Sequence, residues 1–271
     1  MEQPCDLHVH TTASDGTERP EDIVARAIAL GLKAIAITDH DSVEGISKAV
    51  GSAPARLLVI PGVELSTEDN DREIHILGYF IAYDAPCLLQ TLAGIRRQRL
   101  ERGRQIVKRL QRLGIPITFE MVQAAAGAGV IGRPHVARTL IGIGTVSSVE
   151  DAFRELLGPR CPAYVPRARF DTVAAVRLIR EVGGAPVLAH PGINRGEEVL
   201  EKLVNVGLSG IEVEYPEHTS EQRAYYRQLA RRYGLIATGG SDYHDPNDRF
   251  PLGSDAVPFS TVRALRAVAG K

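Results

Sequence analysis

The stretch Cys5-Asp6-Leu7-His8-Val9-His10-Thr11-Thr12-Ala13-Ser14-Asp15-Gly16 decides how the rest of this chain is read. Cys5–Val9 is a short apolar run that predicts a strand. Side chains alternate between the faces of a strand, so His8 and His10 project to the same side. Two imidazoles so placed can share one cation. The pair alone is a weak signal, because a single buried histidine is more often a hydrogen-bonded core residue; its weight comes from what recurs downstream.

Six further strand candidates follow: Ala34–Ile37, Leu57–Ile60, Ile74–Phe80, Pro186–Ala189, Gly210–Val213 and Leu235–Thr238. Nearly every one contains or precedes residues of metal-ligand type. Asp39-His40-Asp41 ends the second and Glu64 follows the third; His75 lies in the fourth and His190 follows the fifth. Glu212, Glu214 and His218 accompany the sixth, and Asp242 and His244 the seventh. Between them run segments of helical spacing, among them Pro20–Leu30, a helix capped by Thr219 or Ser220 and running to Tyr233, and a last one capped by Ser260 or Thr261 before Gly270. This alternation predicts an α/β fold of parallel strands joined by crossover helices. The C-terminal strand ends of such folds line one rim, where residues distant in sequence converge. No cysteine falls in the cluster, which argues against a structural thiolate–zinc site. Mixed imidazole and carboxylate donors suit Mn, Fe or Zn at an open catalytic site.

Composition narrows the classes. The 271 residues carry 32 Lys+Arg against 33 Asp+Glu, a net charge of −1, with hydrophobic residues at 44%. A disordered chain is excluded, and so is a global attraction to polyanions. This length suits one principal core, with two equal domains the weaker alternative. There is no Trp, and 8 Tyr with 6 Phe are too few for a base-stacking surface. Three distant cysteines, Cys5, Cys87 and Cys161, make no disulfide framework and fit a reducing cytoplasm. Met1 to Asp6 shows neither a basic leader nor an apolar run, and no stretch approaches 18 apolar residues, so no membrane insertion is expected.

The region from about Leu88 to Tyr164 breaks the strand–helix rhythm. It has helical patterns and glycine joints (Gly127, Gly129, Gly132, Gly142, Gly144) but no good strand. The expected organisation is therefore 1–98 as the first part of the main fold, 99–165 as a helical insertion covering the rim, and 166–271 as the second part. Arg96 to Arg112 holds eight basic residues and one acid, Glu101. That is either the solvated face of a long helix or a strip for phosphates, and both readings stand. At Arg133-Pro134-His135, Pro134 marks a first helical turn, whose free N–H groups favour an anion, and Arg supplies a two-pronged donor. Arg133 and His135 are thus candidate phosphate contacts, against a plain surface arginine and a capping histidine. Neither G-x-S-x-G nor a P-loop lysine motif occurs, so serine hydrolases and nucleoside triphosphatases drop out.

Taken in order, Asp6–Gly16, Thr38–Asp41 (T-D-H-D), Gly62–Glu64 (G-V-E), His75–Tyr79 (H-I-L-G-Y), Ala189–Gly192 (A-H-P-G) and Gly240–His244 (G-S-D-x-H) resemble the PHP (polymerase and histidinol phosphatase) family. With Gly132–His135 (G-R-P-H), they are most similar to its bacterial branch of nucleoside 3′,5′-bisphosphate phosphatases, also linked to 5′-to-3′ exoribonuclease activity. The resemblance implies a distorted barrel of seven strands and seven helices with two to three divalent ions at its rim. Mn²⁺ is expected, with Fe²⁺ or Zn²⁺ as substitutes. It further implies that His8, His10, Glu64 and Asp242 hold one ion, Glu64, His75 and His190 a second, and Asp15, His40 and His244 a third. Asp39 would orient His40. Glu64 and Asp242 become the catalytic anchors, and His218 a proton donor or phosphate contact. Such ions lower the pKa of a shared water from 15.7 toward roughly 7 and neutralise phosphoryl charge. The expected reaction is removal of the 3′-phosphate from nucleotides such as pAp, together with cleavage of short 5′-phosphorylated RNA. The partners are then a small nucleotide or short RNA, with no membrane and no obligate protein partner. The alternatives are a histidinol-phosphate-type phosphatase and a non-catalytic metal-binding PHP module.

Overall fold

In the computed structural model the described residues are 3–70, 72–167, 170–247 and 249–270. Met1 and Glu2, at the head of the stretch read as lacking a leader, lie outside them. The elements run β1 (Pro4–Val9), α1 (Pro20–Ala29), β2 (Ala34–Ile37), α2 (Ile46–Ser52), β3 (Leu58–Asp69), β4 (Arg72–Tyr79), α3 (Pro86–Arg112), α4 (Phe119–Ala126), α5 (Arg133–Gly142) and α6 (Val149–Ala152). A π-helical turn, Phe153–Leu157, follows α6 directly. Then come α7 (Thr172–Glu181), β5 (Ala185–Leu188), α8 (Pro191–Asn194), α9 (Leu200–Val204), β6 (Gly210–Glu214), α10 (Ser220–Tyr233), β7 (Ile236–Gly239), β8 (Val257–Pro258) and α11 (Phe259–Val268).

The strands form one sheet in the order β7-β6-β5-β4-β3-β2-β1-β8. Just past β7, Tyr243 bridges Val9 of β1: His10 N–H donates to Tyr243 O at 2.9 Å and Tyr243 N–H to His8 O at 3.3 Å. These bonds nearly close the sheet into the distorted barrel that was expected. Two features depart from the expectation. β8 is an extra short strand, antiparallel on β1 through Pro4↔Pro258 and Cys5↔Val257. β4 runs antiparallel to both β3 and β5, and it follows β3 directly instead of after a crossover helix. The last helix also begins one residue before its expected cap, at Phe259, with no side-chain cap.

The third strand is far longer than the apolar run that announced it. Its first half pairs with β2 as far as Ile37↔Pro61, and its second half pairs with β4 from Gly62↔Tyr79 onward. Glu64 therefore lies inside β3 rather than after it. Gly62 sits where the strand changes partners, and a Cβ there would come within 2.9 Å of Ile37 O and 3.1 Å of Gly78 O. Only glycine fits between two flanking backbones so close.

The registers fix what faces the interior. Ile60, Gly62 and Glu64 alternate onto one face, Glu64 opposite Leu77 and Gly62 opposite Tyr79, and Leu77 and Tyr79 in turn oppose Val187 and Ala185. Cys5, Leu7, Ala34, Ala36, Ile60, Leu77, Tyr79 and Val187 form one buried cluster closed by Val262 and Leu265 of α11. The interior is thus apolar at one end, and the same rows of side chains become polar toward the other.

By its internal contacts the chain divides into two compact units, Met1–Gln90 with Arg169–Lys271, and Thr91–Ala168. The first holds the barrel. The second is helical and has its own core, in which Ile106, Val107 and Leu110 of α3 meet Val122 of α4 and Val136, Ala137 and Leu140 of α5. Among the described residues no helix is long and apolar enough to cross a membrane.

Candidate metal centre

All nine side chains implied as ligands belong to the barrel unit, and Glu64 is their hub. Its Oε2 lies 3.3 Å from His8 Nε2, 3.2 Å from His10 Nε2 and 2.9 Å from His40 Nδ1. Its Oε1 lies 2.8 Å from His75 Nδ1 and 3.0 Å from His190 Nε2. Asp242 Oδ1 is 3.3 Å from His8 Nε2 and 3.1 Å from His10 Nε2. Asp15 Oδ1 is 3.4 Å from His244 Nε2, and its Oδ2 is 4.0 Å from His40 Nε2. Three groups have donor atoms all within 4.8 Å of one another: His8, His10, Glu64 and Asp242; His10, Asp15, His40 and His244; and His40, Glu64 and His75. His40 thus stands between two groups, whereas the resemblance gave it to one. His190 reaches the cluster through Glu64.

The donor set fits divalent cations. His8 Nε2, His10 Nε2, His40 Nδ1 and Glu64 Oε2 are buried, face one another and have no hydrogen-bond partner. Buried polar atoms are otherwise almost always satisfied, and atoms left open toward a common centre are what a cation needs. The electrostatics agree. Burial by itself would push His8 down, but Glu212, Asp242 and Glu64 outweigh it and hold the imidazole well above its ordinary value. His10 is likewise driven up, against burial, to about 10 by Asp242 and Glu64. Glu64 is held well below the carboxylate range, because His40, His75 and His8 overcome the burial that would raise it. His40 goes the other way: burial pushes it down despite Glu64 and Asp15. The carboxylates demand positive charge at the rim, and protons on histidine supply it where cations could.

Buried carboxylates set the frame. Asp39 accepts Thr11 N–H at 2.7 Å, the Thr11 hydroxyl at 2.8 Å and the Ser14 hydroxyl at 2.6 Å, so it holds the loop that carries Asp15 rather than bonding the His40 ring. Asp6 accepts Ser241 N–H at 2.9 Å, the Ser241 hydroxyl at 2.6 Å and Gly253 N–H at 2.7 Å, which places the segment bearing Asp242. Glu212 faces His8 Nδ1 with Oε1 at 3.0 Å and accepts His190 N–H at 2.8 Å with Oε2. Sequence reading placed Glu212 at the rim without a role and gave Asp6 none. Charged residues at fully buried strand positions were the available signal for both.

His218 stands apart from the histidine–carboxylate cluster. Its Nδ1–H donates to Val213 O at 3.0 Å, and its Nε2 accepts Gly192 N–H at 3.2 Å. Burial pushes its pKa down. Both ring nitrogens are thus engaged by backbone groups, an arrangement that does not favour the expected proton-donor role. In the helical unit, Arg133 and His135 open α5 as expected. His135, buried, caps it by accepting Gly132 N–H at Nδ1 at 3.0 Å. The Arg133 guanidinium lies 5.2 Å over the Phe153 ring, at the start of the π-helical turn.

A family-wide sequence profile described as PHP domain matches residues 6–130. An Escherichia coli strain K12 protein named 5′-3′ exoribonuclease Rnm is 37% identical over 256 residues, 92% of this chain and 87% of that protein. A Chromobacterium violaceum protein named 3′,5′-nucleoside bisphosphate phosphatase is 35% identical over 250 residues, 90% of this chain and 88% of that protein. The crystal structure of a Bifidobacterium adolescentis protein proposed to be a metal-dependent phosphoesterase superposes with a TM-score of 0.93 at 32% identity, covering 98% of this chain and 96% of that one.

Proposed function

This chain belongs to the PHP family and is a metal-dependent phosphoester hydrolase, and from that premise we propose that it removes the 3′-phosphate of nucleoside 3′,5′-bisphosphates and cleaves short 5′-phosphorylated RNA from its 5′ end. In an oligonucleotide the same 3′ linkage is a diester, so one site can serve both reactions. The observation that carries the reading is the convergence of five histidine rings on the two oxygens of Glu64, beside relatives named for these two activities.

Divalent ions, Mn²⁺ by preference, would be held by His8, His10, Asp15, His40, Glu64, His75, His190, Asp242 and His244. When bound, they supply an acidified water and charge neutralisation on phosphoryl oxygens. The chain's own part is positional. Glu64 presents Oε2 to His8, His10 and His40 and Oε1 to His75 and His190, and Asp242 offers Oδ1 to the His8–His10 side. Arg133, braced on Phe153, grips the non-reacting 5′-phosphate through its fork of N–H donors. His135 fixes the start of α5 and so the place of Arg133.

The test is a substrate profile with Mn²⁺: a nucleoside 3′,5′-bisphosphate, the 3′- and 5′-monophosphates, a 5′-phosphorylated tetraribonucleotide and histidinol phosphate. The bisphosphate and the tetramer should lead in kcat/KM. Equal turnover of simple monophosphates would remove the second-phosphate requirement and favour the histidinol-phosphate type.

A further inference from the structure

Two of the nine candidate ligands occupy left-handed backbone, His190 at φ 21° and Asp242 at φ 52°. Non-glycine residues persist there only when the surrounding structure holds them. In both cases a side chain at the end of β6 or just past it, in a stretch that contributes none of the nine, reaches the residue. Glu212, wholly buried, accepts His190 N–H through Oε2 and faces His8 Nδ1 with Oε1. Three residues on, Tyr215 donates its hydroxyl to Asp242 Oδ2 at 3.1 Å, and its ring packs against His190 with centroids 5.3 Å apart.

We propose that Glu212 and Tyr215 are positioning residues for the metal centre: Glu212 sets the tautomer of His8 and the turn that presents His190, and Tyr215 turns Asp242 so that Oδ1 faces His8 and His10. The proposal rests on the reading of the rim as a divalent-cation site. A carboxylate only accepts hydrogen bonds, so the His8 nitrogen facing Glu212 must carry the proton. In the neutral ring a cation requires, that leaves Nε2 its lone pair, on the side of Glu64 and Asp242. With Asp242 Oδ2 engaged by the tyrosine, Oδ1 is the oxygen 3.3 Å from His8 Nε2 and 3.1 Å from His10 Nε2. The same stretch braces the His190 turn a second time, since His218 receives Gly192 N–H. A Cβ on Gly192 would lie 2.7 Å from the His218 ring, which accounts for the glycine of A-H-P-G.

Titration calorimetry of the purified chain with Mn²⁺ alone tests this without substrate. Glu212→Gln is isosteric, but an amide cannot accept from His190 and from His8 together. Either its NH₂ meets the His190 N–H, or it drives the His8 proton onto Nε2. Mn²⁺ affinity should fall about 10- to 100-fold, the usual cost of losing such a partner, with Tyr215→Phe near the lower end of that range. Glu214→Gln removes the same charge from the same strand, but Glu214 faces Arg223 and Arg227; its affinity should not change. In the diamagnetic Zn²⁺-loaded protein the His8 Nδ1–H resonance should shift in Glu212→Gln and stay put in Glu214→Gln. If Glu212→Gln does not fold, Tyr215→Phe carries the decision. Mn²⁺ affinities of Glu212→Gln and Tyr215→Phe within about twofold of wild type would overturn the proposal, and so would an equal loss in Glu214→Gln, which would mark a general charge effect. Wild-type protein that takes up no Mn²⁺ would instead bring down the cation reading itself.

Discussion

Glu64 and Arg133 carry the clearest expectations for single residues. Five histidine nitrogens lie within 3.3 Å of the two Glu64 oxygens, so Glu64→Ala removes the shared anchor of the cluster at once. Turnover should drop by roughly 10²- to 10³-fold or more, the usual cost of losing a charge-stabilising group, with the far-ultraviolet circular dichroism unchanged. Retention of wild-type metal content and rate would refute the anchor role. Arg133 makes a subtler test. A guanidinium–phosphate contact partly shielded from water is worth on the order of 1.5–3 kcal/mol, roughly 10- to 150-fold. Arg133→Ala should lower kcat/KM by that factor on a 3′,5′-bisphosphate and hardly at all on a 3′-monophosphate. Equal losses would place Arg133 on the reacting phosphate. Most ligand-type residues were legible in the sequence because each sits at or beside a recognisable strand; Asp15, in the loop beyond β1, entered only through the family resemblance. Glu212 was not given its role because that role depends on a bond to His8, 204 residues away, and no local pattern reports such a pairing.

Elements show where periodicity stops being informative. The strand runs were read nearly in place, because β-branched apolar segments bounded by turn residues have few other homes in an α/β fold. The direction of β4 was not legible, since an apolar run looks the same whichever way it pairs. Pro61-Gly62 reads as a stop signal, yet β3 continues through both. Pro61, which has no N–H to give, closes the pairing with β2, and Gly62 is small enough to open the pairing with β4. Gly240 does similar work at the barrel seam. A Cβ there would come within 2.5 Å of His8 N and 2.7 Å of His8 Cβ, and neither atom is a flexible tip. Gly240→Ala should therefore part β1 from the chain leaving β7 and cost about 1–3 kcal/mol in urea unfolding, the usual range for overpacking. It should also weaken Mn²⁺ binding, because His8 and Asp242 flank that seam. Unfolding indistinguishable from wild type would show the seam to be looser than these distances imply.

For the whole molecule, the decisive quantity is the charge gathered at one end of the barrel. A chain of net charge −1 buries carboxylates among histidines there, and without cations His8, His10 and His75 hold protons in their place. His10 is raised to about 10 and His75 to about 9, each driven up by carboxylates against its own burial. A group whose pKa is raised in the folded state stabilises it fully below the unfolded value, near 6.5 for histidine, and loses that stabilisation as pH climbs through the folded value. Metal-free protein should therefore lose thermal stability between about pH 7 and 10. Glu64 and Asp242, held well below the carboxylate range, act oppositely, and their contribution is lost on acidification. Cations compete with those same histidine protons, so Mn²⁺ affinity should rise across the window in which the metal-free protein weakens. Paired melting curves, with chelator and with Mn²⁺ under anaerobic conditions from pH 6 to 9, should diverge as pH increases, and metal analysis at the upper end should find two to three equivalents. A single equivalent that reconstitution cannot raise would contradict the multinuclear site. Metal-free melting temperatures that climb steadily from pH 7 to 10 would show that the histidines are neutral and that the rim does not gather positive charge.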